Sequence, residues 1–196
     1  LKVLALIPWQ KKWLFCELMI AGVDEVGRGC LAGPVIAASV ILKRPIKGLM
    51  DSKKLSSKKR EHLSQVIIEN SIFAIGVADN IEIDQINILQ ASLLAMQRSL
   101  EKLDVKPKKV LVDGTHIFET PIEIESIVGG DNLIPSISAA SVVAKVYRDR
   151  LMTAYSKEFP NYGFDKHKGY PTKLHKEMIK RYGFTKIHRR TFKGLN

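Results

Sequence analysis

The chain has 196 residues, 45% of them hydrophobic and 26% charged, which is enough for one domain with a sizeable core. Lys and Arg outnumber Asp and Glu by 31 to 20, a formal charge of +11 that favours a polyanionic partner, nucleic acid above all, over a merely solvated face. Only Cys16 and Cys30 are present, which excludes a disulfide scaffold and fits a reducing, cytoplasmic setting.

Residues 1–18 are apolar-rich, but Lys2, Pro8, Gln10, Lys11, Lys12 and Glu17 interrupt them. No run approaches the ~20 apolar residues of a membrane span, and no signal-peptide pattern is clear. Met19 stands immediately before the first convincing strand, so residues 1–18 are expected to be an extension dispensable to the core.

From Ile20 the elements follow in order. Ile20–Glu25 reads as a buried strand that ends in two acids, Asp24 and Glu25. Pro34–Leu42 reads as a second strand after the Gly33-Pro34 turn signal. A loop containing Asp51-Ser52-Lys53-Lys54 leads to a helix over about 58–70, capped by Ser56 or Ser57, with Leu63, Val66 and Ile67 inward. Phe73–Ala78 is a third strand, so this half forms part of an antiparallel or mixed sheet. Ile83–Leu103 has helical periodicity, with Ile86, Leu89, Leu93, Met96 and Leu100 on one stripe. Lys109–Asp113 and Ile122–Val128 are further strands, and a helix over about 136–157 follows. That order implies parallel pairing in the second half. After Phe159-Pro160 the composition turns basic, which reads as a helical lobe over 161–196 attached to a core over 19–160. The expected class is α/β with a central mixed sheet.

Three predicted strands end in acids or meet them at once: Asp24-Glu25, Asp113-Gly114 and Gly130-Asp131. Sites in open α/β sheets form where loops converge at strand ends. Four carboxylates gathered there would repel one another unless divalent cations lay among them, and Mg²⁺ and Mn²⁺ favour such oxygen ligands. For any single acid a turn or cap is the simpler account; the recurrence at three strand ends favours a site. Asp24 and Glu25 would face opposite sides of a regular strand, so either the strand breaks at Glu25, or Glu25 contributes partly through its carbonyl or toward a second ion.

Gly27-Arg28-Gly29-Cys30-Leu31-Ala32 matches a loose dinucleotide pattern, but the Gly33-Pro34 pair and the strand after it deny the required helix. On the helix after Asp131, Ser138, Ser141, Lys145 and Arg148 form a polar stripe suited to backbone phosphate. His167-Lys168-Gly169-Tyr170-Pro171-Thr172-Lys173 combines an aromatic ring with donors, although core packing is the simpler account of Tyr170 alone. No histidine has zinc-site spacing with a cysteine.

Gly22-Val-Asp-Glu-Val-Gly-Arg-Gly29 followed by Leu31-Ala-Gly-Pro-Val35 resembles the opening motif of the type 2 ribonucleases H, the bacterial ribonuclease HII family. The similarity continues through Asp51-Ser-Lys-Lys-Leu55, Val112-Asp-Gly114, Gly130-Asp131 and Ser138–Val146. It extends through Arg148-Asp-Arg150, His167–Thr172 and His188-Arg-Arg-Thr-Phe192, and so covers about 20–192 in order. Cys30 stands where a proline is common, and Thr191 where a serine is usual.

The resemblance implies an RNase H-like fold with a helical C-terminal lobe. It implies an endonuclease that hydrolyses RNA in RNA–DNA hybrids and cuts on the 5′ side of single ribonucleotides in duplex DNA, leaving 3′-hydroxyl and 5′-phosphate ends. By motif, Asp24, Glu25, Asp113 and Asp131 would be the catalytic, metal-binding acids, with two Mg²⁺ or Mn²⁺ ions when substrate is bound. Gly27, Arg28 and Gly29 would read the 2′-hydroxyl, and Tyr170 would pack on the junction sugar. Lys53, Ser141, Lys145 and Arg148 would contact phosphate. The expected partners are RNA–DNA hybrid and ribonucleotide-containing duplex DNA, acted on by a monomer with no membrane and no obligate protein partner. The rival readings are another RNase H-like nuclease, such as a junction resolvase, and a non-catalytic RNA-binding module.

Overall fold

The computed structural model describes residues 19–49 and 55–192. The expected extension over 1–18 and the loop residue Lys53 lie outside the described residues. Strands β1 (Ile20–Val26), β2 (Val35–Leu42), β3 (Ser71–Ala78), β4 (Lys109–Asp113) and β5 (Glu123–Ile127) make one sheet in the order β3-β2-β1-β4-β5. β1, β2 and β3 pair antiparallel, whereas β1, β4 and β5 pair parallel, so the sheet is mixed, as strand and helix order implied.

Helix α1 (Ser57–Glu69) and helix α2 (Asn80–Glu101) precede and follow β3, and the long helix α3 (Pro135–Glu158) follows a 3₁₀ turn at Gly130–Asn132. Two short helices, α4 (Phe164–His167) and α5 (Lys173–Tyr182), build the C-terminal segment. No helix among the described residues is long and apolar enough to cross a membrane.

Strand alternation divides the core into two layers. Ala21, Val23, Val35, Ala37, Val110 and Val112 pack with Ala91, Ala95 and Met96 of α2. Ile36, Ala38 and Val40 face the other way, onto Leu63 and Ile67 of α1 and Val142 and Val143 of α3. Gly22 is what lets α3 come so close: a Cβ there would stand 2.2 Å from the backbone nitrogen of Ile137. The N-terminus of α3 therefore rests on β1 two residues before Asp24.

Helix α2 differs from its expected stripe. It starts earlier, at Asn80, because Asp79 accepts from the Ile81 and Glu82 amides while the Glu82 carboxylate accepts from the Asp79 amide. Asn87 then leaves helical geometry (φ 67°, ψ 165°) and its side chain accepts from the amides of Leu89 and Gln90, restarting the helix. The break shifts the helical phase. Ile86 is exposed, and the buried face is Ile83, Ala91, Ser92, Ala95, Met96, Ser99 and Leu100.

The C-terminal segment is tied into this framework by a third apolar cluster: Leu31, Ala32, Met152, Tyr162, Phe164, Ile179 and Ile187. Asp84 of α2 also accepts from the Arg190 and Thr191 amides and from the Thr191 hydroxyl.

Candidate active site

β1 runs on past the end of its pairing with β4. Its last partner there is Val112, opposite Val23, while pairing with β2 continues through Val26. Asp24 and Glu25 therefore sit where one neighbour strand has stopped and the other has not, which leaves a notch at the sheet edge. Asp113, the last residue of β4, and Asp131, in the 3₁₀ turn leading into α3, border the same notch. Asp131 donates its amide to Asp113 Oδ1 at 3.3 Å, and Asp131 Oδ1 accepts from the Asn132 side chain at 2.9 Å.

The sheet faces separate the acids. Alternation from Val23 and Val112, both in the α2 layer, puts Asp24 and Asp113 on the α3 side, together with Asp131. Glu25 points to the other side at the end of a strand that does not break, and it accepts from Arg28 Nη1 at 3.1 Å. Of the two alternatives for Glu25, the strand break is absent: β1 stays regular through Val26.

Asp24 is the most constrained of the four. It is 5% exposed, accepts from the Glu25 amide at 2.7 Å and from the Ser141 hydroxyl, and has a carboxyl pKa well above the usual range. Burial is the largest cause, followed by repulsion from Glu25; the Ser141 bond pulls the other way, and Asp113 adds further repulsion. Burial also raises Glu25, with Arg28 opposing. Carboxylates pushed up by desolvation and by one another are the condition that a hard cation relieves. Among the described residues no ion pair neutralises Asp24 or Asp113, and no three acids, histidines or cysteines close into a ready cage. The donor set thus fits Mg²⁺ or Mn²⁺ in its chemistry, as an open cluster of hard oxygens.

Beside the acids lies the loop Gly27–Gly33. Gly27 has φ 98°, and a Cβ on it would meet the Arg148 side chain at 2.3 Å, so both conformation and space demand glycine. Arg28 and Gly29 are exposed at the turn, and nothing lies within 4 Å of a Cβ placed on Gly29. Tyr170 comes up against this loop: Leu31 donates to the Gly169 carbonyl at 2.8 Å, and the Tyr170 hydroxyl hydrogen-bonds the Cys30 thiol. The ring stays 37% exposed, with Lys145 Nζ 5.6 Å from its centroid. Simple core packing does not describe such a ring.

The polar stripe on α3 divides by function. Ser141 holds Asp24, and Lys145 sits half-buried beside Tyr170 and pairs with Asp149 at 2.8 Å. Arg148 corrects the expectation of a phosphate contact. It is 0% exposed, and its guanidinium donates to the carbonyls of Pro34 (3.0 Å), Lys168 (2.8 Å) and Ala32 (3.0 Å). It joins the loop to the C-terminal segment and reaches no solvent. Ser138 is likewise inside, donating to the Leu49 carbonyl at 2.7 Å.

Sequence reasoning missed a buried set of three histidines, His167, His175 and His188, packed around Phe164. Their spacing carries no signal, because they come from α4, α5 and the turn after it. The buried Arg189 was missed as well; its place in a long match to known motifs was the only signal.

A family model described as ribonuclease HII matches residues 21–195 of this chain. Ribonuclease HII of Coxiella burnetii (strain Dugway 5J108-111) is 55% identical over 182 residues, covering 91% of this chain and 90% of that protein. The crystal structure of ribonuclease H2 from Pyrococcus horikoshii OT3 superposes with TM-score 0.76 at 27% identity, covering 90% of this chain and 94% of that one. The crystal structure of Bst-RNase HIII in complex with Mn²⁺ is similar in fold, with TM-score 0.71 at 17% identity over 93% of this chain and 70% of that one.

Proposed function

Because the chain belongs to the ribonuclease HII family, and is thereby an endonuclease of RNA in RNA–DNA hybrids, we propose that it also cuts on the 5′ side of single ribonucleotides embedded in duplex DNA. The products carry 3′-hydroxyl and 5′-phosphate ends. One observation carries this reading: the exposed turn at Arg28-Gly29 and the half-exposed ring of Tyr170 converge beside Asp24 and Glu25, at the end of the same strand. A sugar held between turn and ring lies next to the acids, so recognition and cleavage act on neighbouring bonds.

Asp24, Glu25, Asp113 and Asp131 are the residues that would hold the divalent metal. Two Mg²⁺ or Mn²⁺ ions bound there with substrate would supply Lewis acidity for in-line hydrolysis of the phosphodiester. The chain's own residues do the rest. The Ser141 hydroxyl and the Glu25 amide orient Asp24. Gly27, Arg28 and Gly29 present backbone to the 2′-hydroxyl, where no side chain obstructs approach at Gly29. Tyr170 packs on the sugar, Lys145 attracts the phosphate beside it, and Lys53 and the excess of positive charge add affinity without sequence preference.

Residues 19–160 and the segment over 161–196 act as one folding unit in this reading, supported by the apolar cluster they share through Leu31, Met152 and Phe164. The enzyme works as a cytoplasmic monomer without an obligate protein partner, and residues 1–18 are dispensable to it.

The test is cleavage of a labelled DNA duplex carrying one ribonucleotide, with and without Mg²⁺ or Mn²⁺, beside a long RNA–DNA hybrid. Metal-dependent cutting 5′ to the ribonucleotide is expected, and Asp24→Asn abolishes it. Cutting of the hybrid alone would refute the single-ribonucleotide reading, and junction cleavage without either activity would favour a resolvase.

A further inference from the structure

We infer that two adjacent residues, His188 and Arg189, are positioning residues that together set both arms of the ribose-reading site. Arg189 acts through the Arg28 carbonyl, and His188 acts through His175 on the Tyr170 carbonyl. The inference rests on the reading of Gly27–Gly29 and Tyr170 as those arms.

Arg189 is 0% exposed, and among the described residues it makes no direct ion pair, although the Asp84 carboxylate attracts its charge and its guanidinium stands 5.0 Å from the centroid of the Phe192 ring. Its Nη1 donates to the Arg28 carbonyl at 2.9 Å and its Nε to the Gly33 carbonyl at 2.9 Å, while Nη2 is buried with no hydrogen-bond partner among the described residues. Burying a guanidinium without a direct ion pair is costly, and an apolar side chain of similar volume would pack the same space more cheaply. What the guanidinium adds is direction. In a planar trans peptide the carbonyl and the following amide point opposite ways. Holding the Arg28 carbonyl inward therefore turns the Gly29 amide outward, at the exposed turn where nothing obstructs approach. Main-chain bonds lock the segment in place: Arg189 donates to the Leu31 carbonyl at 2.9 Å, Gly33 donates to the Ile187 carbonyl at 2.8 Å, and Ala32 bridges His188.

The other arm is held by a relay whose tautomers follow from its partners. The Thr185 amide donates to His188 Nδ1 at 2.9 Å, so the His188 proton is on Nε2. That nitrogen lies 3.1 Å from His175 Nε2, which must accept, leaving His175 Nδ1–H to donate to the Tyr170 carbonyl at 2.9 Å. His167 stacks on His175 with ring centroids 4.3 Å apart; it takes the Gly169 amide on Nδ1 (3.2 Å) and gives Nε2–H to the Tyr162 carbonyl (2.7 Å). Burial presses His175 and His188 down to about 4, which keeps both neutral and the relay directional near neutral pH. Every nitrogen of the three rings has one assigned role, and the chain of bonds ends on the residue whose ring faces the sugar.

Single-turnover and steady-state cleavage of the one-ribonucleotide duplex tests this on the full chain, with folding followed by circular dichroism. His175→Leu is expected to lower kcat about tenfold with KM within about twofold, as misplacement of a positioned group does. His175→Asn, whose amide nitrogen takes the place of Nδ1, restores most of the loss. In a Tyr170→Ala background, His175→Leu adds less than about twofold, because the two act as one unit. Arg189→Lys, which keeps the charge but loses the two-pronged hold, shows the same kcat loss and shifts the Gly29 amide resonance; it decides the matter if His175→Leu fails to fold. Folded His175→Leu and Arg189→Lys variants that cleave like the parent overturn the inference, as does a His175→Leu loss that simply multiplies with Tyr170→Ala. If Tyr170→Ala itself cleaves normally, the reading of the ribose arms has failed and the positioning inference falls with it. If Tyr170→Ala is impaired while the positioning variants are not, the inference alone has failed.

Discussion

Replacing Arg148 with methionine separates a scaffold role from a phosphate-binding one. The methionine keeps much of the volume and the flexible stem but deletes the donors to the carbonyls of Pro34, Lys168 and Ala32. Hydrogen bonds to charged groups are worth roughly 1.5–3 kcal/mol each, and the Arg148 side chain that makes these is 0% exposed. Against this, the variant no longer buries a charge, which returns part of the loss. A net destabilisation of about 3–5 kcal/mol follows. In a domain of this size 1 kcal/mol moves Tm by roughly 2–4 °C, so Arg148→Met should melt about 10 °C lower. The assay pairs a thermal melt with KM for the hybrid measured across a salt series. A phosphate contact predicts the reverse pattern, an unchanged Tm with weaker binding and a salt slope shallower by about one. That outcome would refute the assignment of Arg148 to the interior.

Acid should loosen the C-terminal segment. His175 and His188 titrate at about 4 when folded, below the ordinary 6.5, because burial disfavours their charged forms. Their contribution is therefore complete above pH 6.5 and lost as the pH falls toward 4, with an upper limit of roughly 3 kcal/mol per histidine. Tm measured from pH 7 to 4.5 should fall in the parent and fall less in His175→Asn; a flat profile in the parent sinks the reasoning. The raised Asp24 and Glu25 have the opposite sign, since their folded forms bind protons more readily than the unfolded chain does. Asp24→Asn should thus leave Tm unchanged or higher in metal-free buffer while cutting cleavage at least ~100-fold. A clear drop in Tm for this variant would show that the Asp24 charge supports the fold instead of straining it.

Much of this molecule is legible along the chain. The strands of the core and its long helices stand close to where apolar periodicity puts them, because most are long enough to show a buried face; β5, with no buried residue, is the exception. The acids are visible as polar residues at the ends of apolar strands, and the glycines as breaks that no helix follows. Periodicity misled where local side-chain bonding overrode it: Asn87 caps a new helix in the middle of α2, and the phase of the expected stripe shifts there.

The polar stripe on α3 exposes the limit more sharply. Helical spacing places Ser141, Lys145 and Arg148 on one side of the helix, but it cannot say what covers that side. The C-terminal segment does so, folding back over the loop at Ala32–Pro34 and enclosing Arg148 while leaving Lys145 partly open. The three histidines and Arg189 become a unit for the same reason. The histidines bond to groups close by in the chain, but only chain return brings Arg189 to the carbonyls of Arg28 and Gly33 and lays its neighbour His188 against Ala32. Sequence alone marked the candidate acids and the glycine turn, since residue type and local pattern set donor chemistry and strand ends. Tertiary structure decided which charges face solvent, which layer of the sheet Asp24 and Glu25 each face, and what packs against the Gly27–Gly29 turn and Tyr170, because burial and direction are properties of neighbours that sequence does not place side by side.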